Sequence, residues 1–336
     1  MSLADQDSPA DRPDLVAAAI AAWPVLGKWQ SRLNASPRFR RMLGIVRGRG
    51  FQRGLRVAIL AVFLGFLALA VYRNWAELRQ YGWRLDPRYA VLAVACFPAA
   101  YVPTIVCWHW IVRRVGGLDQ WRINAHIFCL SSLGRYVPGA IWYVAGRAYL
   151  YQDAGVPVSQ VVIGTIWENV VFVTSGLLVY VLLGWQQPWL AGLLLIAAVL
   201  LYPTILNRLF RQFQAAPLRP ADVLALFAML GLAWAAGGLL LLAVTNALVP
   251  VGSENLPFLI GAWGLAGAVS VIAGFLVGGL GIRELTLGAL LGQVLPVPVG
   301  VAVAVAFRLV LTVSEGVWAI TIGWLTRPAR GITQKD

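Results

Sequence analysis

Seven charged residues stand inside otherwise apolar sequence: Arg135, Arg147, Arg283 and Arg308, with Glu168, Glu284 and Glu315. In hydrocarbon each would cost at least about 2.5 kcal/mol on insertion scales, so such charges mark function or obligatory pairing. Two of the arginines sit in backbone-breaking runs. The first reads Ser131-Ser132-Leu133-Gly134-Arg135-Tyr136-Val137-Pro138-Gly139-Ala140-Ile141-Trp142, with Gly146-Arg147 just beyond. The second reads Gly278-Gly279-Leu280-Gly281-Ile282-Arg283-Glu284. Glycines 134, 139, 279 and 281, with Pro138, permit tight turns and close backbone approach, and a broken helix leaves backbone N–H donors unpaired. Those donors beside an arginine fork suit a phosphate. Arg135, Tyr136, Arg147, Arg283 and Arg308 are therefore the candidate phosphate ligands. Glu168, Glu284 and Glu315 are candidates for ion pairing or for carrying a coupled proton.

The same residues allow plainer readings. Buried ion pairs can simply fix helix register, and glycine-rich turns can serve only close helix packing. Gly279-x-Gly281 is not a dinucleotide fingerprint, because no strand precedes it and the spacing is wrong. Ser131, Ser132, His126 and Asp153 cluster near the first run, yet no Ser-His-Asp spacing emerges. With two histidines and three cysteines in the whole chain, neither a metal or haem site nor a disulfide framework is expected.

The elements that must hold these residues follow from composition. Of 336 residues, 60% are hydrophobic and 12% charged, against about 25% charged in ordinary soluble domains. Apolar runs long enough to cross a roughly 30 Å hydrocarbon core recur, and they are continuous rather than alternating, which excludes an outer-membrane barrel. The fold class is an all-α polytopic membrane protein. Spanning helices are expected at about Arg56–Tyr72, Tyr89–Ile111, Val158–Leu183, Trp189–Leu206, Val223–Leu248 and Val299–Leu325. Residues 1–50 form a basic arm, interfacial or cytoplasmic. Residues 51–326 are the transmembrane domain, and 327–336 a short tail.

Orientation follows from the basic residues. Nineteen Lys or Arg fall in the arm through Arg56, in 113–122, in 207–222 and in the tail, whereas four fall in the opposite loops. The net charge of +13 thus reads as a positive-inside signal, not as nucleic-acid binding. It places both termini in the cytoplasm. Parity then makes 123–157 enter and leave on the cytoplasmic face and 258–298 on the outer face. Both are expected to be re-entrant hairpins of opposite direction, buried in protein or lining a wet cavity. Each precedes a proline-started helix, at Pro157 and Pro298, which is the pattern of an inverted repeat. Glu168 and Arg308 lie eleven and ten residues beyond those prolines, hence about 15 Å deep.

Gly134-Arg135-Tyr136-Val137-Pro138-Gly139-x-x-Trp142 resembles the [KR]-Y-[LV]-P-G-x-x-W element of the lysylphosphatidylglycerol synthase transmembrane-region family, also called flippase-like domain proteins. Gly278-Gly279-Leu280-Gly281-Ile282-Arg283-Glu284 resembles that family's G-G-x-G-x-R-E element, and Glu168 and Arg308 sit where the family places an acid and an arginine. The resemblance spans about residues 51–326. It implies a lipid translocase of the cytoplasmic (inner) membrane, moving or binding a phospholipid or a polyprenyl-linked lipid without a cofactor. Eleven residues follow the last helix, so the family's soluble aminoacyl-transfer domain is not expected here, and lipid lysylation is not implied. Two alternatives stay open: a non-transporting partner that presents lipid to a membrane transferase, and an intramembrane transferase or phosphatase. No catalytic motif favours the enzyme. If Glu168 acts in transport, Glu168→Gln is expected to fold nearly normally and lose function.

Overall fold

The structure is a computed structural model. It describes Tyr72, Trp83 and residues 85–136, 141–152, 154–184, 192, 207–208, 219–277 and 281–326. The 1–50 arm, the tail, and the expected helices at 56–72 (Tyr72 apart) and 189–206 (Gly192 apart) lie outside these residues. So do Pro138, Gly139 and Gly279, and so do the side chains of Arg135 and Tyr136.

Among the described residues every regular element is a helix. They are α1 (Pro87–Arg114), α2 (Trp121–Ser132) running into a 3-10 turn at Leu133–Tyr136, α3 (Ile141–Gln152), α4 (Val158–Gly184), α5 (Pro220–Leu248), α6 (Leu256–Val277), α7 (Ile282–Leu291) and α8 (Val297–Leu325). Five stretches, on α1, α4, α5, α6 and α8, are long and apolar enough to cross a membrane. The chain is a multi-pass helical membrane protein. Four of the five coincide with expected spans. The fifth was expected as one limb of a hairpin. At 22 residues, or about 33 Å, α6 has full spanning length, whereas α7 beyond the turn has ten residues.

Local chemistry sets the helix ends. Asp86 caps α1 by accepting from the backbone N–H of Arg88 at 2.9 Å, and Pro87 occupies the first turn. Asp222 in the first turn of α5 accepts from the N–H of Arg219 at 2.9 Å. Gly281 precedes α7 with φ of 84°, a left-handed conformation that other residues adopt only with strain.

Helices α1 and α5 run antiparallel. The N–H of Asp86, at the start of α1, donates to the carbonyl of Ala247 near the end of α5 at 3.0 Å. At the other end Arg114 Nη2 meets Asp222 Oδ1 at 2.9 Å. Helices α4 and α6 cross at a pair of glycines. A methyl on Gly176 would come within 2.6 Å of the Gly264 carbonyl oxygen, and one on Gly264 within 2.7 Å of the Gly176 oxygen. Close backbone contact at small residues is how apolar helices gain packing in lipid, where no hydrophobic drive separates them from solvent. Trp234 of α5 fills the adjoining space and donates from Nε1 to Ser175 Oγ at 3.0 Å.

Candidate functional site

Among the described residues, two ion pairs join the short helices α3 and α7 to the long helices that follow them. The first joins α3 to α4: Arg147 Nη1 donates to Glu168 Oε2 at 2.5 Å. Arg147 has no exposed surface, while the Glu168 side chain is 13% exposed. Such a cation needs dense compensation, because its desolvation opposes the Coulomb gain. The guanidinium carbon lies 3.7 Å from the centroid of a Trp108 ring, 5.1 Å from Phe128 and 5.5 Å from Tyr143. Arg147 Nε donates to Ser131 Oγ at 3.1 Å. Its Nη2 has no hydrogen-bond partner among the described residues, leaving the ring faces as its environment.

Trp108 is itself held in place. Its Nε1–H donates to Tyr151 Oη at 2.9 Å, and that hydroxyl donates to Asn124 Oδ1 at 2.7 Å. Asn124 Nδ2 then donates to the Leu118 carbonyl at 2.7 Å and to His109 Nδ1 at 2.8 Å. Since Asn124 Nδ2 is a donor, His109 Nδ1 accepts there, and the ring's other nitrogen faces Asp119 at 3.8 Å. A polar chain thus runs from the α1–α2 loop to the buried cation, and its Asn124, Tyr151 and Trp108 side chains are buried.

The second pair joins α7 to α8. Arg308 Nε meets Glu284 Oε1 at 3.3 Å, with the side chains 29% and 11% exposed. Beside Glu284, in the first turn of α7, Arg283 lays its guanidinium carbon 3.8 Å from the centroid of a Trp263 ring. Glu315 follows two turns beyond Arg308 on α8, half-buried. The expected ligands are therefore not one cluster. Arg147 joins Glu168, and Arg283, Glu284 and Arg308 gather around α7. The backbone of Arg135 and Tyr136 closes the 3-10 turn after α2. Gly134 lets that turn pack on α3, since a methyl there would lie 3.0 Å from the Tyr143 Cα.

A narrow cleft between α1, α4 and α5 reaches Glu168 past Cys107, Phe172, Leu226 and Leu230. The groups considered for enzyme chemistry are otherwise engaged. The Ser131 hydroxyl accepts from Arg147 and donates to the Phe128 carbonyl at 3.1 Å. Ser132 donates to the Cys129 carbonyl at 2.8 Å and lies 3.0 Å from the Tyr101 hydroxyl. His126 Nδ1–H donates to the Gly323 carbonyl at 2.6 Å, because a carbonyl only accepts. Asp153 lies outside the described residues.

Trp108 and Trp263, the seats of the two stacked arginines, had no sequence signal. Each is a tryptophan in an apolar helix, 39 and 20 positions from its arginine. Trp167 is buried against Trp110 at 6.1 Å, and the Trp142 side chain lies outside the described residues. No protein-family model matches this chain, and no curated protein matches it significantly.

Proposed function

We propose that this protein is a flippase-like lipid translocase. A phospholipid or polyprenyl-linked lipid carries its phosphate past the Arg283–Glu284–Arg308 group while its acyl chains stay in the bilayer. The observation that carries this reading is the Arg308–Glu284 pair, partly exposed inside an apolar bundle, with Arg283 adjacent to Glu284 in the first turn of α7. Helix N-termini and arginine forks both favour phosphate. Glu284 is then the counter-ion that a phosphate displaces from Arg308. Arg135 and Tyr136 supply the equivalent contact at the other turn, and Glu168 and Glu315 line the route or exchange a proton. Arg147, with no exposed surface, holds Glu168 in place.

Two oppositely oriented hairpins, α2–α3 and α6–α7, within an inverted repeat would point their turns in opposite directions. Support comes from the pairing of helices. With α1 to α4 matched to α5 to α8, α4 packs on α6 as α8 packs on α2, and α5 packs on α4 as α1 packs on α8. The matched helices α1 and α5 are antiparallel, as a two-fold axis in the membrane plane requires. The ion pairs correspond too, with charge exchanged: Arg on α3 with Glu on α4, against Glu on α7 with Arg on α8. The excess of basic residues on one side argues for the cytoplasmic membrane with both termini inside.

The test is leaflet exchange of a fluorescent phosphatidylglycerol in vesicles carrying the purified full chain. A charge-assisted hydrogen bond contributes roughly 1.5–3 kcal/mol, so Arg283→Ala and Arg308→Ala should each slow exchange about tenfold or more while still folding. If both folded variants exchange lipid at the parental rate, the translocase reading fails.

A further inference from the structure

We infer that Trp263 is a positioning residue for Arg283, fixing its guanidinium plane so that the donor edge is presented to a lipid phosphate. The inference rests on the translocase reading and names a component that reading does not contain. Arg283 lies 3.8 Å over the Trp263 ring. A stacked guanidinium spends its face on the ring and keeps its in-plane N–H groups, and phosphate is bound in that plane by two parallel bonds. Seat and ligand therefore do not compete.

The seat is rigid for reasons visible around it. Trp263 is 7% exposed. Phe307 meets it edge-on at 5.0 Å and 89°, and Trp234 at 6.1 Å and 70°. On α5 the absence of a side chain at Gly237 makes its room, because a methyl there would come within 2.2 Å of the Trp263 Nε1. Four helices, α5, α6, α7 and α8, thus converge on one ring, and Phe307 directly precedes Arg308 in sequence. The other half has the same arrangement, Arg147 over Trp108 at 3.7 Å. There the arginine is sealed from solvent and bonded to a carboxylate at 2.5 Å. Arg283 is half-buried rather than sealed, so its seat serves presentation.

The experiment measures binding of two probes to the detergent-solubilised full chain: short-chain phosphatidylglycerol and the matching diacylglycerol, which lacks phosphate. Trp263→Leu should weaken the phospholipid about tenfold, and Trp263→Phe, which keeps a weaker ring face, about threefold. Neither should change diacylglycerol binding. Gly237→Ala keeps the indole but displaces it, and should weaken the phospholipid in the same selective way. Adding Trp263→Leu to Arg283→Ala should cost nothing further, since the seat acts through the arginine. The inference is overturned if Trp263→Leu and Trp263→Phe weaken both probes alike, which marks a packing role. It is also overturned if the Trp263→Leu effect persists in full without Arg283. Should Arg283→Ala itself bind phospholipid normally, the translocase reading falls and the seat with it. A loss on Arg283→Ala with none on Trp263→Leu removes the seat alone.

Discussion

Neutralising Glu168 should destabilise the protein through Arg147, and removing both charges together should restore most of the loss. Arg147 has no exposed surface and meets Glu168 at 2.5 Å, so Glu168→Gln leaves a buried cation without its counter-ion. Breaking a buried pair in this way typically costs about 3–5 kcal/mol. The Trp108 face at 3.7 Å remains and offsets about 0.5–2 kcal/mol of that, for a net loss of roughly 1–4.5 kcal/mol. Arg147→Met should cost less, because the Glu168 side chain keeps 13% of its surface exposed whereas Arg147 has none. In the double variant Arg147→Met/Glu168→Gln neither charge is stranded, so its loss should be smaller than that of Glu168→Gln alone. The assay is reversible unfolding in mixed micelles for the parent, both single variants and the double. Strictly additive losses, with coupling below about 0.5 kcal/mol, would refute this account of Arg147. The geometry also alters the expectation drawn from sequence, under which Glu168→Gln folds nearly normally. That expectation treats the carboxylate as a free group in a cleft, not as the counter-ion of a sealed arginine.

The half-exposed pair should behave differently. Glu284→Gln leaves Arg308, 29% exposed, less enclosed than the sealed Arg147, so the same unfolding assay should read a smaller loss than for Glu168→Gln. At the crossing of α4 and α6, Gly176→Ala or Gly264→Ala drives a methyl to 2.6 or 2.7 Å from a backbone oxygen. Neither helix can yield locally, so each variant should lose about 1–3 kcal/mol in the same measurement, and parental stability would show that the contact is loose. For the proposed topology, single cysteines at Pro138 and Gly281, in a background where Cys96, Cys107 and Cys129 are replaced, should label from opposite faces of the membrane. Labelling of both from one face would exclude the inverted-hairpin arrangement.

The sequence alone determined the class, the positions of four spanning helices and the residues worth watching. Those properties depend on short-range facts: hydropathy sums over about twenty residues, proline and aspartate act at the helix start where they stand, and a lone charge in an apolar run is conspicuous by itself. It also marked Gly281 as a turn residue, and the backbone there has φ of 84°. Only the tertiary structure decided which charges meet. Arg147 and Glu168 are 21 positions apart, with a turn and a helix start between them. No local rule says that this arginine is fully enclosed while Arg308 keeps 29% of its side chain exposed. From sequence, the glycines and charges of 258–298 read as breaks in a hairpin, and the 22-residue extent of α6 is set by packing. In the fold, glycines 264 and 267 are sites where Gly176 and Trp234 pack closely, and the helix passes through them. Trp108 and Trp263 were illegible for the same reason: a cation over a ring is a contact between distant segments, made only when helices cross at one particular angle and register.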